Sequence, residues 1–123
     1  MGERIEIVDV GPRDGLQAQP QLLDTDTKLA LIERLVEAGV RRLEVASFVN
    51  PKRVPQMADA DAIIARLPRH AGVSYIGLVL NEQGFERALA AGVEQVNCAA
   101  VTTDAAAGAK MSGSCRFEIA DGF

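Results

Sequence analysis

The segment EAGVRRLEV at residues 37–45 returns as AAGVEQVNC at residues 90–98. Each copy carries the end of a helical pattern, a glycine, a valine, two polar residues and the start of a strand. One supersecondary unit is therefore used more than once, and this narrows the folds open to the chain. The sequence around the copies keeps the same rhythm. IEIVDV (5–10), RRLEVASF (41–48), VSYIGLVL (73–80) and VEQVNCAAV (93–101) are short, β-rich runs. Between the first two, DTDTKLALIERLVEAG opens with a capping residue, Asp24 or Thr25. It sets Leu29, Ile32, Leu35 and Val36 on one helical face and closes at Gly39. ADADAIIARL (58–67) is predicted as a second helix and NEQGFERALAAG (81–92) as a third, with Asn81 as its N-cap. Strands alternating with such helices give α/β architecture, parallel (β/α) units and a parallel sheet.

The loop after the first strand excludes one class of α/β protein. GPRDG is neither the G-x-G-x-x-G of a dinucleotide fold nor a Walker loop. Polar residues gather instead at the C-terminal ends of strands. Arg13 and Asp14 come after the first, Glu44 and Ser47 lie on the second, and Asn81 comes after the third. That is the active face of a (β/α)-barrel, a fold of eight units and roughly 250 residues. Four strands in 123 residues amount to about the first half of a TIM barrel.

Composition removes other classes. A formal net charge of −4, one tyrosine and no tryptophan leave no basic stripe and few stacking platforms for nucleic acid. No apolar stretch approaches the roughly 18 residues of a membrane span. The start MGERIEI lacks the order of a signal peptide, so a cytoplasmic location is expected. Cys98 and Cys115 form no disulfide framework and fit no zinc spacing.

Arg13 beside Asp14 admits two readings, a solvated turn pair or two groups presented by a broken strand end. Adjacent strand residues point to opposite faces, so both can serve one site only where the strand gives way to a loop; Gly11-Pro12 and Gly15 supply that break. Glu44 lies between Leu43 and Val45 in a strand expected to be buried on both faces. A buried carboxylate costs several kcal/mol unless paired, so a cation or a metal is its expected partner. Lys52 reads as solvated, and His70 lies on a loop at the end opposite the strand tips.

VGPRDGLQ followed by LIERLVEAGVRRLEVASFVNPKRVPQMAD resembles the hydroxymethylglutaryl-CoA lyases, within the metal-dependent TIM-barrel lyases and acyl transferases. The resemblance runs over about residues 5–96 of a single domain, 1–123, whose segment 102–123 diverges. It implies an acyl-CoA substrate, a 3-hydroxy-3-methylglutaryl-CoA-type thioester, cleaved to acetyl-CoA and acetoacetate. Asp14 matches a ligand of Mg²⁺ or Mn²⁺, and Arg13 matches the arginine that faces the enolate oxygen. Gln17 is expected to bind substrate or hold Arg13; Glu44, paired with catalysis, and Ser47, with substrate binding, match residues lining the same cavity. The remaining ligands, a His-x-His pair and an asparagine, and a catalytic cysteine belong to later parts of the family's barrel. The chain by itself is therefore expected to be inactive, and to associate as a homo-oligomer or with a complementary half-barrel. A non-catalytic half-barrel that assembles or binds acyl-CoA, and a related aldolase or acyltransferase, remain the alternative readings.

Overall fold

The computed structural model describes residues 3–99; Cys115 and the segment 102–123 lie outside the described residues. Asp24 begins the first helix, α1 (Thr25–Glu37), with extended backbone and a carboxylate that accepts the Thr27 N–H at 2.7 Å. Hydrogen bonds from the Thr27 hydroxyl and then its backbone N–H hold the Asp24 carboxyl below its ordinary pKa. Two further helices follow, α2 (Ala60–Arg66) and α3 (Glu82–Ala91). Asn81 caps α3 as expected, accepting the Gly84 N–H at 2.8 Å. Gly92 ends it at φ +88°, a left-handed conformation that a side chain would strain.

Three strands, β1 (Arg42–Ser47), β2 (Ser74–Val79) and β3 (Gln95–Cys98), form a parallel sheet in the order β1-β2-β3. The alternation of strands and helices is the (β/α) architecture the sequence predicts. All three helices pack on one side of the sheet. Ile32 and Val36 of α1, Ile63 and Ile64 of α2 and Ala88 of α3 join Leu43, Phe48, Tyr75, Val79 and Val96 in one buried cluster. Glu44, Ser47 and Ile76 are equally buried but stand outside it, on the opposite face.

That division depends on an irregularity in β1. Glu44 pairs with Ile76, but Ala46 pairs with Gly77 and Ser47 with Leu78, so Val45 is an extra residue in the ladder. In a regular pleat, residues three apart point to opposite faces. The extra residue cancels one alternation. Glu44 and Ser47 therefore share a face with Ile76 and Leu78, and through β3 with Gln95 and Asn97.

The first predicted strand is the departure. IEIVDV makes one parallel bridge, Asp9 to Leu43, through Asp9 N–H to the Arg42 carbonyl and Glu44 N–H to the Asp9 carbonyl, both 2.9 Å. Ile5 and Ile7 are 87% and 81% exposed. A strand gains its stability from what covers its faces, and nothing among the described residues covers these two side chains.

A buried lysine braces the loops at the strand tips. Lys28 of α1 donates to the Gln56 carbonyl and, at 2.6 Å, to Asp59 Oδ1, while Thr25 Oγ1 donates to Asp59 Oδ2 at 2.7 Å. Asp59 is thereby drawn to α1 and makes no side-chain cap on α2. Gln56 Nε2 donates to the Gln19 carbonyl at 2.7 Å, tying the connection after β1 to the segment after Gly15.

The packing of α3 yields a test with an unusual sign. Replacing a helical glycine by alanine ordinarily stabilises by up to about 1 kcal/mol. A Cβ on Gly84, however, would overlap the backbone carbonyl oxygen of Phe48, which no rotamer change can move. Gly84→Ala should lower the unfolding free energy by about 1–3 kcal/mol, read as an earlier midpoint in urea; a later midpoint would show that Gly84 is an ordinary helical position.

Candidate active site

Where IEIVDV ends, Gly11–Gly15 closes into a π-helical turn. The Val10 carbonyl accepts from the N–H groups of Arg13 (3.1 Å), Asp14 (2.7 Å) and Gly15 (3.4 Å), and Asp9 Oδ1 accepts the Gly11 N–H at 2.8 Å. The turn packs on β1 with Pro12 buried. Single π-turns of this kind recur at functional sites. Because the backbone here is a turn and not a strand, the neighbours Arg13 and Asp14 lie on one site.

Arg13 Nε donates to Glu44 Oε1, and Arg13 Nη1 lies 3.2 Å from Asp14 Oδ1. The Glu44 side chain is 4% exposed and that of Arg13 17%, whereas Asp14 is 66% exposed. The cation expected opposite the buried carboxylate is thus Arg13. Ser47, fully buried, donates from Oγ to Gln17 Oε1 at 3.2 Å. Gln17 accordingly meets Ser47 rather than Arg13, because the extra residue at Val45 turns Ser47 toward the covering turn. All five residues singled out from the sequence converge at the C-terminal end of β1.

Asn97 is not one of those five. Its Nδ2 donates to Glu44 Oε2 at 2.7 Å, so both oxygens of the buried carboxylate are occupied. A second rung runs parallel to this one, toward the N-terminal end of the strands. Arg42 Nη1 donates to Glu6 Oε2 at 2.6 Å and Nη2 to Gln95 Oε1 at 2.9 Å. The repeat holds the signal. Aligning EAGVRRLEV with AAGVEQVNC sets Arg42 against Gln95 and Glu44 against Asn97, the two pairs that bond across β2.

These surroundings decide which group could hold a divalent cation. Each Glu44 oxygen already accepts a hydrogen bond, and Asp9 accepts the Gly11 N–H through Oδ1. Asp14 presents a hard carboxylate at the surface of the site and fits as one ligand. Mg²⁺ is commonly held by one or two carboxylates together with waters and substrate oxygens. Among the described residues no group of three or more His, Cys, Asp or Glu side chains could hold a metal.

A cleft of about 490 Å³ opens beside the site, where β1 and β2 end, lined by Phe48, Asn50, Lys52, Arg53, Asn81 and Arg87. Arg87 is held there by the Val49 carbonyl at 3.1 Å and Asp61 Oδ2 at 3.0 Å, with its guanidinium 5.5 Å from the centre of the Phe48 ring. Lys52 is exposed, as its solvated reading requires. His70 lies among Arg69, Val73, Tyr75 and Glu94 at the other end of the strands. No helix among the described residues is long and apolar enough to cross a membrane.

Comparison with known proteins agrees on one family. A family model described as HMGL-like matches residues 4–121. The chain is 45% identical over 95 residues to the mitochondrial hydroxymethylglutaryl-CoA lyase of Rattus norvegicus, covering 77% of this chain and 29% of that protein. It is 44% identical over 113 residues to the (R)-citramalyl-CoA lyase of Chloroflexus aurantiacus, covering 83% and 35%. Among solved structures, hydroxymethylglutaryl-CoA lyase from Pseudomonas aeruginosa matches with a TM-score of 0.74 and 43% identity, over 77% of this chain and 32% of that one. The chain thus spans about a third of the length of the relatives it matches.

Two carboxylates within one site should respond differently to removal. Glu44→Ala leaves Arg13 largely buried without its partner and should cost about 3 kcal/mol, the lower end for breaking a buried pair. Asp14→Ala removes an exposed partner and should shift stability by no more than about 0.5 kcal/mol. Chemical unfolding of both variants checks the contrast; equal losses would show that Glu44 is not the buried anchor.

Proposed function

The chain belongs to the HMGL-like family, and from that premise we propose that it supplies the opening units, with part of the active site, of a barrel lyase for acyl-CoA substrates. The substrate we favour is a 3-hydroxy-3-methylglutaryl-CoA-type thioester. The observation that supports this most directly is the Arg13–Glu44 pair, buried at the strand tips beside an exposed Asp14. The reaction is a retro-Claisen cleavage. The substrate hydroxyl gives up its proton to a base, its oxygen becomes the carbonyl of acetoacetate, and the bonding pair of the broken carbon–carbon bond passes to the thioester as an enolate. Protonation of the enolate gives acetyl-CoA.

Within that chemistry the residues have distinct tasks. Arg13 sets a fixed cation beside the enolate oxygen, where a preorganised donor in a dry site is worth several kcal/mol. Glu44 holds that cation through Nε and is itself too enclosed to touch substrate. Ser47 and Gln17, joined to each other, line the wall next to it and offer the remaining hydrogen-bonding capacity to the acyl group. Asp14 would hold a divalent cation, Mg²⁺ or Mn²⁺, which when bound lowers the pKa of a coordinated hydroxyl and orients it. The basic cleft at Lys52 and Arg53 offers room for the anionic end of the thioester's carrier.

Grafting residues 5–96 onto the remaining two thirds of the Pseudomonas aeruginosa relative tests the reading. The chimera should release acetoacetate from hydroxymethylglutaryl-CoA with Mg²⁺ or Mn²⁺ and lose metal-dependent turnover with Asp14→Ala. Arg13→Lys keeps the charge but loses the planar fork and should lower turnover by about 10²-fold, with substrate binding less affected. A folded chimera that turns over equally well with Lys at position 13 overturns the assignment of Arg13.

Assembly follows from the same reading. The Gly11–Gly15 turn packs on β1, while Asn97 and Cys98 of β3 are exposed. We expect the 13.1 kDa polypeptide to join a second copy or a complementary set of units. Sedimentation at low micromolar concentration should give a larger species; a monomer that unfolds cooperatively and exposes no dye-binding apolar surface overturns this.

A further inference from the structure

Asn97 has no part in the chemistry just described, yet it closes the arrangement on which Arg13 depends. A carboxylate held by one oxygen can still turn about its last torsion, which is broad for glutamate, and the guanidinium it holds would turn with it. The Asn97 Nδ2 donor, 2.7 Å from Glu44 Oε2, removes that freedom. The donor is a neutral amide, so the negative charge of Glu44 is left to Arg13 alone. Arg13 in turn has Nε on Glu44 and Nη1 on Asp14, while Nη2 makes no hydrogen bond among the described residues. A carboxylate can only accept, which identifies the nitrogen of the Asn97 amide as the atom facing it. The bond joins β3 to β1 across β2, and the Arg13–Glu44 pair carries it on to the turn that precedes β1.

We propose that Asn97 is a positioning residue: it fixes Glu44 and thereby aims Nη2 of Arg13 at the oxygen of a bound acyl group. The identity of that oxygen rests on the lyase reading; the coupling of Asn97 to Arg13 does not. Asn97 itself is exposed, so water competes for its amide, and a merely solvated edge residue would leave Arg13 indifferent to its loss.

The test uses the intact chain labelled with ¹⁵N, reading solvent exchange of the Arg13 Nε–H. Asn97→Leu keeps the approximate shape and removes the donor. It should speed that exchange about 10-fold or more, the worth of one hydrogen bond to a charged group, while the backbone amides of β1 and β2 keep their protection. Asn97→Asp supplies a second arm. Position 97 faces Glu44, behind which lie Arg13 and Asp14 on the turn, with Arg42 and Glu6 one rung away; β2 presents Ile76 and Leu78. Below about pH 4 the carboxyl introduced at position 97 is protonated and can donate to Glu44, and Arg13 exchange should match the native chain. Near pH 6 two facing carboxylates repel, and exchange should exceed the native rate at that pH. Unchanged exchange in Asn97→Leu, or no difference between Asn97→Asp and the native chain across that range, overturns the proposal. Should Asn97→Leu lose the protection of β1 and β2, the Asn97→Asp profile decides. A chimera without lyase turnover, where the intact chain shows these exchange effects, would refute the lyase reading alone; turnover by the chimera, where the intact chain lacks them, would refute the role of Asn97 alone.

Discussion

A carboxylate removed from water must be met by charge and by hydrogen bonds on every lone pair it can spare, or it costs several kcal/mol. Glu44, 3% exposed in the central part of β1, is that carboxylate here. Its demands organise the site. The turn at Gly11–Gly15 must fold back over the sheet to bring Arg13, and β3 must lie in register with β2 to bring Asn97. Neither element is sequence-adjacent to Glu44, yet neither can shift without leaving an oxygen unmet. The cation at the strand tips is thus fixed by the same bonds that make the burial tolerable.

The second constraint is geometric. A regular β1 would direct Glu44 and Ser47 to opposite faces, one to the polar site and the other into the helix layer. The extra residue at Val45 lets the strand deliver both to the site while Phe48 still returns to the core, where its ring lies close against Gly77. Bulges recur next to active sites because they re-aim a side chain in this way.

Much of this is legible in the sequence. The capping roles of Asp24 and Asn81, the apolar spacing of α1 and the glycines at 39 and 92 are local signals, and they set the order of helices and strands. The demand of Glu44 for a cation is legible too, since it follows from burial alone. IEIVDV misleads because strand pairing depends on what covers a segment, which its own pattern does not record. Gln17 reads as a partner of Arg13 or substrate because nothing in RRLEVASF announces the shift at Val45 that sends Ser47 toward it. Asn97 carries no signal that sets it apart from its polar neighbours Glu94 and Gln95; its meaning lies in the repeat, and finding it requires knowing that β1 and β3 flank β2.

The two rungs, Glu6–Arg42–Gln95 and Arg13–Glu44–Asn97, have a consequence for how such a sequence can change. Each joins equivalent positions of two copies of one unit, 53 residues apart. A mutation at one end therefore removes a hydrogen-bond partner of the other. Substitutions along this sheet are therefore expected to be coupled, position 42 with 95 and position 44 with 97. The reuse of one unit has left its copies answerable to each other, even where their sequences have parted.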